Sequence, residues 1–292
     1  MNKNDDSSAK QNSKSGSVKG RSKSKSKFVP VVVPVVPPED AGNDGHPEIH
    51  PHLPQIAGPG GGALLLMISP VRTGKSTIIS NLLLGDDAMG FYNAQDRFHT
   101  TTIISNTIAN DVTSRFLAKA FDTHDSYDDS IIDGIVNQQK SYDKEEQPDI
   151  AVILDDCLGS IRREARINHL ASRFRHFNIR LLIISSQNFR SCSPIIRQNA
   201  TNVIVGSPFP NQKELGKMAE EYGDVFGGAD NWLKIYKKAT PDKYCFLHMD
   251  FQSNPPKAYR CFEELIAEGP NIMGEVPDLS DEDEDEDLQA KQ

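Results

Sequence analysis

The stretch ALLLMISPVRTGKSTIISNLLL, residues 63–84, decides the fold of this chain. It opens with an apolar run, Ala63 to Ile68, which has the length of a buried strand. A tight turn follows and ends at residues 74–77 in Gly-Lys-Ser-Thr, before a helix-compatible run from Ile78 to Leu84. A strand that leads through a phosphate-binding turn into a helix N-terminus is the arrangement of the P-loop, or Walker A motif.

The chemistry of such a loop comes from its backbone and from two of its side chains. Successive N–H groups and the positive end of the helix bind anions. Lys75 would lie near the β- and γ-phosphates, and the Ser76 hydroxyl would be a ligand of Mg²⁺. The predicted nucleotide-binding residues are Ser69, Pro70, Val71, Arg72, Thr73, Gly74, Lys75, Ser76 and Thr77.

Ser69 departs from the usual pattern, which begins with glycine. Pro70 follows it, fixes φ at that point and lacks an N–H group. The alternative interpretation is a chance Gly-Lys-Ser in an ordinary loop. The position of these residues between an apolar strand and an apolar helix argues against chance.

A second motif lies downstream, where the apolar run Ile150 to Leu154 ends in Asp155 and Asp156. A strand that is apolar throughout is expected when helices cover both faces of a parallel sheet. Its carboxylates then lie at the C-terminal edge of the sheet, where ligands bind. This is the Walker B arrangement, in which Asp155 would hold Mg²⁺ through its water shell and Asp156 would deprotonate the attacking water. The alternative is an ordinary strand end with solvated acids.

Polar residues after the next strands extend the predicted site. A third strand, residues 180–186, ends at Gln187, which would hold the γ-phosphate or the attacking water. Alternatively, Gln187 is a plain polar residue at a strand end. Arg190 and Arg197 follow, and either could be an arginine finger for a neighbouring subunit or a structural residue.

The two ends of the chain differ sharply in composition from its middle. The first 28 residues contain eight Lys or Arg and two acidic residues, whereas residues 275–292 contain nine acidic residues and one Lys. Both tails read as disordered and solubilising; alternatively, the basic arm contacts DNA phosphates or is a nuclear address, and the acidic tail mimics DNA or docks onto basic partners. The Pro-, Gly- and His-rich segment 39–62 reads as a linker. We therefore expect a disordered arm over residues 1–60, a folded domain over residues 61–268 and a disordered acidic tail over residues 269–292.

Several classes of protein receive no support from the sequence. We expect no signal peptide, and no apolar run approaches membrane-spanning length. The four cysteines lack C-x-x-C pairs and fit reduced thiols in a cytosolic or nuclear compartment. His46, His50 and His52 have no Cys or carboxylate at ligand spacing on an ordered element, so they predict no metal site.

Weaker periodicity predicts the remaining elements. Asp111 would cap a helix through Phe121 with Phe116 and Leu117 on one side, and a basic helix would span residues 160–176. Residues 244–249 and 258–261 read as late strands, paired as a hairpin at the sheet edge. Three aromatic residues are interpreted as core side chains rather than as a platform for a nucleobase: Phe226, Trp232 and Tyr236.

The order of these motifs resembles the genome-packaging ATPases of large DNA viruses, in the poxvirus-type branch of the FtsK–HerA superfamily. The resemblance rests on SPVRTGKST, VILDDC, LIISSQ and SPIIRQNAT, and covers roughly residues 63–266. It implies a RecA-like α/β core with the strand order 5-1-4-3-2. It also implies a ring, usually a hexamer, with ATP between subunits and double-stranded DNA in the channel.

The resemblance further implies a function and its residues. The catalytic set would be Lys75, Asp156, Gln187 and Arg197, and the metal ligands Ser76 and Asp155. Arg72 is similar to the arginine in the Walker A motif of large terminase subunits, which implies a contact to phosphate.

We expect an ATP- and Mg²⁺-dependent motor that moves viral DNA into the capsid. Its partners would be DNA, further copies of itself and a capsid or portal protein, in the host cytoplasm, in the nucleus or in the virion. The alternatives are a terminase-type ATPase, a nucleoside kinase or related phosphotransferase, and an inactive P-loop scaffold.

Overall fold

The computed structural model describes residues 47–57, 61–108, 114–161 and 165–269. The predicted basic arm, the acidic tail beyond Gly269, His46 and the Asp111 helix cap lie outside these residues.

A single mixed sheet forms the centre of the described part of the chain. Its nine strands are β1 (Ala63–Ile68), β2 (Thr100–Ser105), β3 (Asp122–His124), β4 (Ile150–Asp155), β5 (Ile179–Ser186), β6 (Asn202–Gly206), β7 (Phe246–Asp250), β8 (Lys257–Arg260) and β9 (Glu264–Glu268). They lie in the order β3-β2-β4-β5-β1-β6-β7-β8-β9. The strands from β3 to β6 are parallel, and β7, β8 and β9 add antiparallel pairs at one edge.

The predicted α/β fold class is therefore confirmed. When β1, β2, β4, β5 and β6 are counted as strands one to five, their order is the predicted 5-1-4-3-2. The late hairpin predicted at the sheet edge is β7 with β8, whereas β3 and β9 are additions that the sequence analysis did not predict.

Side chains of the central strands pack into two cores, one on each face of the sheet. In β1, Leu64, Leu66 and Ile68 enter one core, while Leu65 and Met67 enter the other. Alternate side chains of a strand point to opposite faces, so a strand covered on both sides must be apolar throughout. This explains why the runs in β1, β4 and β5 show no polar alternation.

Eight helices cover the sheet within the described residues. They are α1 (Lys75–Leu84), α2 (Ala94–Arg97), α3 (Ser114–Ala120), α4 (Asp129–Lys140), α5 (Arg166–Ala171), α6 (Pro194–Asn199), α7 (Gln212–Tyr222) and α8 (Ala229–Ala239). None of these helices combines the length and the hydropathy needed to cross a membrane.

Two helix predictions were wrong in part. The basic helix expected over residues 160–176 is interrupted: α5 covers only its middle, and a 3₁₀ turn at Phe174–Phe177 follows. In α3, Leu117 is buried as predicted, but Phe116 is 61% exposed. The two residues are adjacent, about 100° apart around a helix, so one side chain can enter the core while the other stays exposed.

Residues 47–57 are packed against the fold, which the linker interpretation of segment 39–62 did not predict. Ile49, Leu53 and Ile56 are buried in the same core as α1. The Tyr92 hydroxyl donates to the Pro54 carbonyl at 2.7 Å. The burial of three apolar side chains offsets the entropy of ordering this Pro-rich stretch. For residues 47–57 the interpretation as a linker was therefore wrong.

His248 in β7 predicts a measurable pH dependence of stability. It is fully buried, and its burial lowers its pKa from 6.5 to about 4, although the charge of Asp250 opposes the shift. The unfolded chain therefore binds a proton at a pH where the folded chain does not. We expect this group to contribute about 2–4 kcal/mol to the free energy of unfolding above pH 6.5, a contribution lost as the pH falls towards 4.

Urea unfolding of the parent chain and of His248→Gln at pH 7 and pH 4.5 measures that contribution. Between pH 7 and pH 4.5 the free energy of unfolding should decrease less for His248→Gln than for the parent chain. For the exposed control His169→Gln it should decrease as much as for the parent. An equal fall in all three chains would contradict the assignment.

Candidate active site

The loop between β1 and α1 is held in place by its own hydroxyl groups. Ser69 N–H donates to the Ser186 carbonyl of β5 at 2.9 Å. The Ser69 and Thr73 hydroxyls share a hydrogen bond, and Thr73 Oγ1 also donates to the Pro70 carbonyl. These contacts fix the loop at its start and at its middle.

Two residues with positive φ turn this loop into the helix. Arg72 has φ 62° and Gly74 has φ 99°, and the first helical hydrogen bond runs from Ile78 N–H to the Gly74 carbonyl at 2.9 Å. Ser76 and Thr77 lie in the first turn of α1, where backbone N–H groups have no partner within the helix. The predicted strand, loop and helix are thus present, and unpaired N–H groups of this kind at a helix N-terminus can bind an anion.

Ser69 occupies space that a glycine on the neighbouring strand leaves open. It is 2% exposed, and a Cβ on Gly206 of β6 would lie 1.7 Å from Ser69 Oγ and 2.7 Å from Ser69 Cβ. The serine at this position therefore depends on Gly206. The sequence analysis missed Gly206; the available signal was a glycine at the end of an apolar strand.

Lys75 joins the loop to the end of β4. Its ammonium group donates to the Ser69 carbonyl at 3.0 Å and lies 3.3 Å from Asp156 Oδ2. The side chain is 6% exposed, so this ion pair is largely shielded from water.

Asp155 is buried between serines of the two strands that flank β4. Its Oδ1 accepts from Ser185 Oγ at 2.5 Å, and its Oδ2 accepts from Ser105 Oγ at 3.4 Å. Burial raises the pKa of this carboxyl group, and the charge of Asp156 adds to the effect, while the Ser185 hydrogen bond opposes it. A nearby cation would favour the ionised form. The sequence analysis did not find the two serines, because their role depends on strand order.

Asp156 points its carboxylate towards the loop because its backbone turns out of the strand. It has φ 53°, and its N–H donates to Ser185 Oγ at 3.1 Å. Its Oδ2 accepts from Gln187 Nε2 at 3.2 Å in addition to the Lys75 contact. Its Oδ1 is buried without a hydrogen-bond partner among the described residues. Lys75, Asp156 and Gln187 thus form one cluster, as their predicted roles require.

A small cavity of about 180 Å³ adjoins this cluster. Its lining consists of Asp156, Leu158, Gly159, Ser186, Gln187, Asn188 and Ser191. It places open volume beside the carboxylate predicted to activate water.

The oxygen atoms at this site fit Mg²⁺ better than a transition metal. Asp155 supplies a buried carboxylate, Asp156 an unpartnered oxygen, and Ser76 a hydroxyl in the first turn of α1. Hard oxygen ligands of this kind suit Mg²⁺. Because no group of three or more His, Cys, Asp or Glu residues converges in the described part of the chain, phosphate oxygens and water would have to complete the coordination.

Arg197 is not part of this cluster in the isolated chain. Its Nε lies 3.1 Å from Glu221 Oε1, and its guanidinium carbon lies 4.4 Å from the centre of the Phe189 ring. Arg190 is exposed, and both arginines line a separate cavity of about 620 Å³ beside α6. A role for either arginine at a neighbouring subunit stays a prediction.

Comparison with known proteins gives one relative and several similar folds. No known protein-family model matches the sequence. The chain is 25% identical over 194 residues to Uncharacterized protein 075L of Invertebrate iridescent virus 6, covering 65% of this chain and 71% of that protein.

Two solved structures illustrate the similarity of fold. The structure of B204, the DNA-packaging ATPase from Sulfolobus Turreted Icosahedral Virus, has a TM-score of 0.49 and 19% identity, over 68% of this chain and 96% of that one. EssC (ATPases 2 and 3) from Geobacillus thermodenitrificans has a TM-score of 0.40 and 17% identity, over 54% of this chain and 34% of that one. The chemistry of the site therefore rests on its own residues.

Proposed function

We propose that this chain hydrolyses ATP with Mg²⁺ at the cluster of Lys75, Asp156 and Gln187. One observation carries the proposal: the Asp156 carboxylate lies within 3.3 Å of the Lys75 ammonium and 3.2 Å of the Gln187 amide, next to the N-terminal end of α1. A cation, a base and a polar orienting group are the parts that hydrolysis of a phosphoanhydride needs.

Each residue has a distinct role in this proposal. The backbone of residues 69–77 binds the phosphates. The Lys75 ammonium group moves away from Asp156 and neutralises the charge of the β- and γ-phosphate oxygens. Asp156, released from the ion pair, accepts a proton from the attacking water that Gln187 orients. Asp155 and Ser76 would hold Mg²⁺, which supplies charge stabilisation for the transferred phosphoryl group. Catalysis then consists of positioning and electrostatics.

The finer proposal is a motor that moves double-stranded viral DNA into a capsid. It rests on the order of motifs: the P-loop, the paired acids, Gln187 and the SPIIRQNAT segment that contains Arg197. In a ring of identical chains, where Arg197 would reach the nucleotide of a neighbouring subunit, hydrolysis would change how each subunit binds the phosphate backbone of DNA. A capsid or portal protein and the DNA would be the partners, in the host cytoplasm, the nucleus or the virion.

Stimulation of hydrolysis by duplex DNA tests this function. We expect phosphate release by the full-length chain to rise severalfold with duplex DNA at low salt. The stimulation should decrease as the salt concentration rises, because DNA binding releases counterions and is therefore weaker at high salt. Lys75→Ala should have no activity with or without DNA. Efficient phosphate transfer to a nucleoside, with no response to DNA at low salt, would replace the motor by a kinase.

A further inference from the structure

An exposed aromatic ring lies next to the phosphate-binding loop. Tyr244 is 53% exposed, and its Cδ1 is 3.7 Å from the position that a Cβ on Gly74 would take. The aromatic residues that the sequence analysis assigned to the core, Phe226, Trp232 and Tyr236, are indeed buried. Tyr244 is therefore an exposed aromatic side chain near the loop, whereas these three are not exposed.

The backbone holds this ring in an uncommon conformation. Tyr244 has φ 73°, in the left-handed region that bulky residues seldom adopt. The turn around it is closed by a hydrogen bond from Cys245 N–H to the Asp242 carbonyl at 3.3 Å, and Cys245 and Phe246 beyond it are buried. Strain of this kind persists where surrounding structure enforces it and is frequent at ligand clamps.

A cation lies over the same ring. The Lys243 ammonium is 4.6 Å from the centre of the Tyr244 ring, within the range of a cation–π contact. Lys243 is itself exposed, so a ligand at the phosphate-binding loop beside Tyr244 can approach its positive charge. An aromatic face beside a positive charge suits a ligand that combines a flat ring with phosphates.

We propose that Tyr244 stacks on the base of the nucleotide whose phosphates are bound by residues 69–77. The proposal rests on the nucleotide site proposed above. A base is joined through ribose to the α-phosphate, so it must lie beside the loop that binds the phosphates, and the Tyr244 ring lies within van der Waals distance of the position of a Cβ on Gly74 in that loop. Stacking uses the π-face that every base has and reads no hydrogen bonds, so the site takes nucleoside triphosphates with little preference among the bases.

Binding of ATP and of inorganic tripolyphosphate, which has no base, separates the two parts of the site. For the full-length chain, Tyr244→Ala should raise the dissociation constant of ATP about tenfold, equivalent to about 1.4 kcal/mol. The dissociation constant of tripolyphosphate should not change. Tyr244→Phe should bind ATP like the parent chain because it keeps the ring, and Tyr142→Ala, which removes an exposed tyrosine elsewhere, should also be without effect.

The remaining outcomes distinguish this inference from the site on which it rests. If the parent chain binds neither ligand, the proposed nucleotide site fails and the inference fails with it. Stacking is overturned, while the phosphate site stands, if Tyr244→Ala binds ATP like the parent chain. The same holds if its affinities for ATP and for tripolyphosphate decrease by the same factor. If Tyr244→Ala changes only the stimulation by DNA, the ring contacts DNA and the inference is likewise overturned.

Discussion

Asp156→Asn is expected to bind ATP at least as tightly as the parent chain while its rate of hydrolysis falls by about 10²–10⁴-fold. Asparagine keeps the size of the side chain but cannot accept a proton from water. It also loses the charge that holds the Lys75 ammonium at 3.3 Å, so that Lys75 is free to meet phosphate. Calorimetric titration with ATP and an assay of phosphate release measure the two effects separately.

The matched control is Asp133→Asn, which removes a carboxylate that is 49% exposed and pairs with Arg166 at the surface. Exposed pairs contribute little, so this variant should bind and hydrolyse ATP like the parent. Turnover of Asp156→Asn within twofold of the parent would show that another group is the base. Loss of ATP binding in Asp156→Asn would instead give Asp156 a role in forming the loop.

Features that depend on local pattern could be predicted from the sequence. The runs at residues 63–68 in β1, 150–154 in β4 and 181–184 in β5 are apolar throughout because helices cover both faces, and each is followed by polar residues at the same edge of the sheet. Because the C-terminal ends of parallel strands lie at the same edge of a sheet, Lys75, Asp156 and Gln187 were expected to lie close together, and the structure places them in one cluster.

Features that depend on strand order could not be read from the sequence. Ser105 lies opposite Asp155 because β2 pairs with β4, and Ser185 reaches the same carboxylate from β5 on the other side. Nothing near Ser105 or Ser185 in the chain marks them as partners of an acid. The packing of residues 47–57 was not predicted for a related reason: their three buried apolar side chains are spaced irregularly among prolines and histidines.

The contact between Ser69 and Gly206 is the most consequential feature that the sequence did not predict. It implies that a side chain at position 206 lowers the free energy of unfolding. Gly206→Ala should lower the free energy of unfolding by about 1–3 kcal/mol, because its Cβ would overlap the Ser69 side chain and the rigid end of β1 cannot move freely. It should also weaken ATP binding, since the displaced Ser69 carbonyl is a partner of Lys75.

The double variant Ser69→Gly with Gly206→Ala is expected to recover most of that loss. Once the serine side chain is gone, the nearest remaining atom of residue 69 is Cα, at 3.3 Å from the new methyl group. Urea unfolding of the parent, both single variants and the double variant should give a coupling of about 1–2 kcal/mol in favour of the double variant. Gly134→Ala in α4, where a Cβ meets open space, is the control and should stabilise the chain by up to about 1 kcal/mol. Additive effects in the cycle would mean that residues 69 and 206 do not share this space, and that the loop accepts serine for another reason.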